Sequence, residues 1–272
     1  MNDLFRPPAL SLGADHIAYQ ADALELTSRL SAGCVHLTIT DPAYPSLEKH
    51  RAVGTTTRLT AKWFDVVSYD YLGEWLRELY RVHSPKSHAY VFGDDATIEV
   101  LRPMARAAGW WAWKAMPWVK TKRLVNDPTD LEPADVRIGT GYHWRASHEL
   151  VLFLEKRTSP QPSNWTPDSK PKGKGRQLNS RSWPDVLVGP PVRGHYPTQK
   201  PTTVVERLLR NSSAESELVF DPFAGSGIVG RVAENFRRRF VLGEKRPRDA
   251  GDTPPLALVP WECTEYRVLE ST

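Results

Sequence analysis

Cysteine is nearly absent: Cys34 and Cys263 are the two in 272 residues. Neither sits in a CxxC pair or beside paired histidines, so the pattern argues against a zinc site and a disulfide framework and leaves free thiols, with no metal expected. Long apolar runs are missing too. Nothing approaches the roughly eighteen consecutive apolar residues of a membrane span, so no membrane partner is expected. The opening "MNDLFRPPAL" lacks the charged and apolar regions of a secretory leader, which makes a cytoplasmic protein the expectation. No internal repeat is visible, and the six-residue glycine fingerprint of dinucleotide folds does not occur. Net charge is small, at +4.

What is present is an ordinary core-forming composition, 40% hydrophobic and 25% charged, in a chain long enough for one large α/β domain or a domain with a sizeable insertion. The positive residues clump, and the sequence pI is about 9.0. "SKPKGKGR" places Lys170, Lys172, Lys174 and Arg176 in one Gly/Pro-rich stretch, and "FRRRF" groups Arg237, Arg238 and Arg239. Such clumps suit a polyphosphate partner; a solvated loop and a polar helix end are the plainer alternative.

Along the chain, residues 1–15 are Pro-rich and aperiodic, and read as an arm. "HIAYQADALELTSRL" reads as a strand and then a helix, and "VHLTIT" as a strand buried on both faces. "YDYLGEWLRELYRV" has Leu72, Trp75, Leu76, Leu79 and Tyr80 at helical spacing. A strand "SHAYVFG" and a helix "TIEVLRPMARAAG" follow, with Pro103 expected to kink or divide the helix. "WWAWKAMPWVK" and "HELVLFLE" are strand candidates, and Trp110, Trp111, Trp113 and Trp118 read as core packing with at most one ring exposed. The pattern breaks between about 156 and 192, and also over much of 120–142. Then come the helix "PTTVVERLLRNS", opened by Pro201, the strand "ELVF", a glycine turn, the helix "IVGRVAENF" and the strand "RFVLGE". Strands alternating with helices predict a doubly wound, mainly parallel α/β sheet.

Two strand ends carry chemistry. In "ELVFDPFAGSGIVGRVAENF", Gly225 and Gly227 lie between strand and helix, where backbone can approach a ligand closely and the helix offers free N–H groups. A tight turn without a ligand would use the same residues. Asp221 and Pro222 precede the turn, and Glu244 closes the next strand about where an acid reaches ribose hydroxyls in such folds. A nucleoside ligand without a pyrophosphate fits better than a dinucleotide. In "HLTITDPAYPS", the acid Asp41, then Pro42, Ala43 and Tyr44, follow directly on an apolar run. Asp-Pro alone also opens ordinary turns.

Together, "DPAY", a polar segment, "HYPTQKP" and "FDPFAGSG" resemble the β-class of amino-methylating DNA methyltransferases over roughly residues 17–247, with "GYHWRASHELVLFLEK" also family-like. In that class the catalytic motif precedes the target-recognition region and the cofactor motif follows, a circularly permuted order of the S-adenosylmethionine (SAM) methyltransferase fold. The resemblance implies SAM as cofactor, double-stranded DNA as partner, and transfer to adenine N6 or cytosine N4. It places Asp41, Pro42, Ala43 and Tyr44 in the catalytic loop. Asp221, Pro222, Phe223, Ala224, Gly225, Ser226 and Gly227 fall in the cofactor loop, and Glu244 on the cofactor's ribose. Asp22, with Ala23 beside it, would face the cofactor's adenine, and Thr198, Gln199 and Lys200 would lie near its methionine end. Departures are Ala43 for the second proline, Tyr196 interrupting a His-Pro step, which leaves His195 without a role, and Ala21 for the glycine before Asp22.

The chemistry this implies explains the "DPAY" loop. An aromatic amine's lone pair is delocalised into its ring. A carboxylate (Asp41) and a backbone carbonyl (Pro42) accepting its two N–H bonds draw density onto nitrogen, while Tyr44 stacks on a base flipped out of the duplex. An aspartate opening the motif marks adenine in this family; N4-cytosine methylation and a DNA-binding relative that has lost catalysis are the competing readings. These assignments divide the chain into an arm (1–15), a catalytic half (16–119), a target-recognition region (120–192) that includes the strand 143–156, a SAM-binding half (193–247) and a C-terminal extension (248–272). Lys170, Lys172, Lys174 and Arg176 would follow DNA phosphates. The family's frequent dimers make a homodimer a candidate assembly, and DNA as substrate suggests association with the nucleoid.

Overall fold

A computed structural model describes residues 16–47, 66–139, 143–162, 166, 170–176, 178, 183–192 and 198–245, together with the backbone of 265–268. The arm, His195, Tyr196 and Cys263 lie outside the described residues.

Among the described residues, nine strands form one sheet. In chain order they are β1 (His16–Gln20), β2 (Val35–Thr40), β3 (His83–Gly93), β4 (Trp111–Lys120), β5 (His148–Lys156), β6 (Leu187–Gly189), β7 (Leu218–Asp221), β8 (Arg239–Glu244) and β9 (Glu265–Val268). Their spatial order is β6-β4-β5-β3-β2-β7-β8-β1-β9. Every pairing is parallel except those β5 makes with β3 and β4. The apolar continuity of "HELVLFLE" comes from this central position, where both faces are covered.

The described helices are α1 (Ala23–Arg29), α2 (Tyr69–Val82), α3 (Asp95–Ala107), α4 (Thr202–Ser212) and α5 (Ile228–Asn235). On one face α1, α2 and α3 bury Leu26, Leu72, Trp75, Leu76, Leu79, Ile98 and Leu101 against the sheet. On the other, α4 and α5 bury Val204, Val205, Leu208, Ile228 and Val232 over Leu37, Ile39 and Val219. Each fully buried large apolar side chain contributes about 1.5–3 kcal/mol. Amphipathic helices on both faces of one sheet make the fold doubly wound, as the element alternation predicts.

Local caps set the helix starts. Ser68 accepts the Tyr71 N–H at 3.1 Å to open α2, and Asp94 accepts the Thr97 N–H at 2.9 Å to open α3. Pro103 does not divide α3, which runs through it to Ala107. Its ring is exposed; the lost N–H bond and the crowding of the residue 99 carbonyl are outweighed by burial of Ile98, Leu101 and Ala105 on the opposite face. Trp110, Trp111 and Trp118 are buried and Trp113 half-buried, so the tryptophan cluster is core. β9 lies parallel to β1 and covers that sheet edge, so part of the C-terminal extension belongs to the sheet.

This topology selects the site. From β2 the chain crosses through α2 to β3 on one side, while from β7 it crosses through α5 to β8 on the other. β2 and β7 are neighbours, with Leu37 opposite Val219 and Thr38 opposite Phe220. Their carboxyl ends flank the crevice where the winding reverses, the usual ligand position in open α/β sheets.

Candidate active site

Asp41 leaves the end of β2 and Asp221 ends β7, so the two quoted motifs meet at this crevice. An open cleft of about 420 Å³, its solvent-facing mouth included, runs between them. Its polar wall holds Asp41, Thr198, Gln199, Lys200, Asp221 and Ser226; Ile39, Phe92, Val205 and Ile228 line its apolar wall. Phe223, Ala224 and Gly225 line it from the glycine turn.

The turn takes the backbone shape its glycines permit. Gly225 has φ 49° and Gly227 φ 70°, the left-handed region that costs a side-chain-bearing residue about 1–2 kcal/mol. Gly227 is the N-cap of α5. Glu244 accepts the Gly225 N–H at 2.9 Å and the Gly243 carbonyl accepts the Ala224 N–H at 2.8 Å, so β8 holds the turn in place.

Asp221 is buried beneath the cleft and accepts from the Thr40 hydroxyl at 2.7 Å and the Phe223 N–H at 3.2 Å. Burial pushes its carboxyl up to about 7, against the pull of those two donors.

Asp41 is held by a cation. The Lys200 ammonium donates to Asp41 Oδ2 and lies 3.3 Å from Glu149 Oε2. Glu149, near the start of β5, also pairs with Lys120 at 2.7 Å. Burial raises the Asp41 carboxyl above its ordinary range, with Lys200 opposing. Burial also works against the Glu149 carboxylate, but Lys200 and Lys120 prevail and hold it down at about 2. The same two carboxylates outweigh burial at Lys200 and keep its ammonium charged. Glu149 is the site residue that sequence reasoning missed: it lies within the family-like "SHELV", but no local pattern marks it as a partner of residue 200.

Other expected residues fall around this centre or away from it. The Ala43 carbonyl accepts the Val67 N–H at 2.9 Å, and the Tyr44 ring is buried beside the cleft's acid, with burial raising its phenol. Pro42, Ala43, Tyr44, Pro222, Gly227 and Glu244 support the cleft without lining it. Asp22 caps α1, accepting the Leu24 N–H at 3.0 Å and the Tyr71 hydroxyl at 2.6 Å; Ala23 is buried beside it, and neither lines the cleft. Among the clustered cations, Lys170, Lys172 and Lys174 are exposed. Arg176 is not exposed with them. Its guanidinium grips both oxygens of Glu217 at 2.6 and 2.7 Å, and its N–H donates to Glu155 at 2.8 Å, which ties the polar segment to the sheet.

A doubly wound sheet with an acid loop and a glycine turn facing one cleft defines a nucleoside-binding α/β protein. The sequence matches the DNA methylase family (N6/N4 type) over residues 35–249, and the chain belongs to that family. It is 23% identical over 235 residues to the Type II methyltransferase M2.LlaDCHI of Lactococcus lactis subsp. cremoris, covering 83% of this chain and 82% of that protein. It is 25% identical over 228 residues to the Type II methyltransferase M.HpaI of Haemophilus parainfluenzae, covering 80% of this chain and 66% of that longer protein. Among solved structures, a candidate DNA modification methylase of Thermus thermophilus, complexed with S-adenosyl-L-methionine, has the same fold: TM-score 0.60, 19% identity, covering 94% and 99% of the two chains. The cytosine-N4-specific PvuII DNA methyltransferase also shares it, at TM-score 0.57 and 16% identity over 86% of this chain and 83% of that one.

Proposed function

We propose that this chain methylates the exocyclic N6 of an adenine flipped out of duplex DNA, with S-adenosylmethionine as donor. The observation that carries the reading is that Asp41 and the Gly225 turn, far apart in sequence, line one cleft at the sheet's switch point. The cleft's lining fits the donor's chemistry. Apolar side chains suit an adenine ring, Ser226, Thr198 and Gln199 can hydrogen-bond ribose and amino acid groups, and the carboxylates favour a cationic sulfur. When bound there, SAM supplies an activated methyl group.

The chain's own residues prepare the acceptor. Asp41 accepts an N–H from the target amine and the Pro42 carbonyl takes the other, which localises the lone pair on nitrogen. The developing positive charge on that nitrogen is then stabilised by a carboxylate already in place. Thr40, through Asp221, ties the acid loop to the glycine turn, so acceptor and donor subsites keep a fixed spacing. Tyr44, buried beside Asp41, backs the acid loop, and the exposed Lys170, Lys172 and Lys174 follow the duplex phosphates.

Asp41 at the head of "DPAY" supports adenine, because the family's N4-cytosine members commonly open this motif with serine. The cytosine-N4 specificity of the PvuII enzyme makes N4-cytosine the competing reading. Transfer of label from SAM to duplexes whose target sites offer only adenine, or only cytosine, separates the two. Label on cytosine alone would overturn the adenine assignment.

A further inference from the structure

Lys200 is buried, yet its ammonium stands between two carboxylates supplied by separate elements: Asp41 after β2 and Glu149 on β5. The Thr198 carbonyl lies 3.4 Å from the same nitrogen, and the Phe92 ring centre lies 5.1 Å away. A lysine ammonium has three N–H donors, and three oxygens surround this one. The arrangement raises a chemical difficulty. A cation fully committed to Asp41 would keep that carboxylate ionised, but would weaken it as an acceptor for the target amine and oppose positive charge developing on the attacking nitrogen.

We propose that Glu149 is a positioning residue: by drawing on the Lys200 ammonium that Asp41 also binds, it leaves the Asp41 carboxylate available to the target amine. This rests on the amino-methyltransferase reading and adds a residue to it. Asp41, Lys200 and Glu149 together carry one net negative charge, whereas Asp41 and Lys200 alone would carry none. Lys120 on β4 also pairs with Glu149, at 2.7 Å, which brings the four groups to neutrality, but Lys200 is the cation that donates to Asp41 itself. Among the described residues, Tyr44 and, on β7, Asp221 are further titratable neighbours of Asp41. Neither contacts the ammonium. Arrival of the amine shifts the lysine's share toward Glu149, so the same side chain serves both the resting and the loaded site.

The idea makes opposed predictions for two variants. Removing the cation in Lys200→Met raises the Asp41 pKa, so the acidic limb of the kcat–pH profile for methyl transfer moves to higher pH. Glu149→Gln removes a like charge and leaves the ammonium to Asp41 alone, so the limb moves to lower pH. In Glu149→Gln the plateau kcat also falls, by about 100-fold, the lower end of the range for positioned acid–base groups. KM for SAM changes little. Glu149→Asp, which keeps the charge, returns the limb to the wild-type pH. SAM affinity and melting temperature, measured on each variant, identify any that fail to fold; Glu149→Ala and Lys200→Gln, which also remove the charges, then stand in for them. Limbs that move in the same direction, or do not move, overturn the role of Glu149 while leaving the methyltransferase reading intact. A folded wild-type chain that binds SAM but methylates no duplex overturns both.

Discussion

The Thr40 hydroxyl donates to Asp221 Oδ1 at 2.7 Å, joining the ends of two neighbouring strands that lie 181 residues apart in the chain. This bond couples the acid loop after β2 to the glycine turn after β7. It also places a buried carboxyl, pushed up to about 7, beneath the cleft.

Asp221 therefore makes stability depend on pH in a known direction. An unfolded aspartate titrates near 3.9, so the folded group's elevated value favours the native state fully below about pH 4. That contribution declines as pH rises and is lost above about 7. An asparagine at this position keeps the acceptor for Thr40 without the charge. The melting temperature of Asp221→Asn, relative to wild type, should rise from pH 4 to 7 and level off above it. A constant difference across that window would show that Asp221 is not protonated in the native state.

Asp41→Ala removes the acceptor carboxylate but leaves the glycine turn and its β8 hydrogen bonds in place. Methyl transfer should fall at least about 100-fold, the scale set by removing one preorganised electrostatic partner, with SAM affinity largely kept. Undiminished transfer would remove Asp41 from the chemistry.

Lys170, Lys172 and Lys174 are exposed, whereas Arg176 is bound to Glu217. Replacing the three lysines with alanine should weaken binding to every duplex sequence. It should also flatten the salt dependence by about 0.9 in log–log slope for each phosphate no longer neutralised. Arg176→Ala should instead lower the melting temperature, because it removes the two guanidinium bonds to the half-buried Glu217. An unchanged salt slope in the triple variant would take this stretch out of the DNA interface.

Trp110 and Trp144 separate packing from surface. Trp110 is fully buried and its indole N–H donates to the Leu76 carbonyl at 3.1 Å, while Trp144 is 94% exposed. Trp110→Ala should destabilise by about 3–5 kcal/mol and Trp144→Ala by less than about 0.5 kcal/mol in chemical denaturation. Similar midpoints for the two variants would contradict this placement of the rings.

The elements with local signals were legible. α2 announces itself through Leu72, Trp75, Leu76 and Leu79 at helical spacing, β2 through a run of β-branched residues, and the turn after β7 through Gly225 and Gly227. Each signal lies within a few residues of the feature it specifies, because helix periodicity, strand burial and left-handed turns are short-range properties. Pro103 does not divide α3, because the burial of Ile98, Leu101 and Ala105 that outweighs the proline's local cost is decided by how the helix docks on the sheet.

What the sequence by itself determined is the alternation of strands and helices, the apolar faces that must be covered, and the two chemical loops at strand ends. Only the tertiary structure decided that β5 enters the sheet antiparallel between β3 and β4 and that Arg176 belongs to Glu217. It also decided that Lys200 meets both Asp41 and Glu149. These are encounters between distant residues, governed by the order and register of strands. A carboxylate's neighbourhood, and hence its charge and chemistry, exists only once that sheet is assembled.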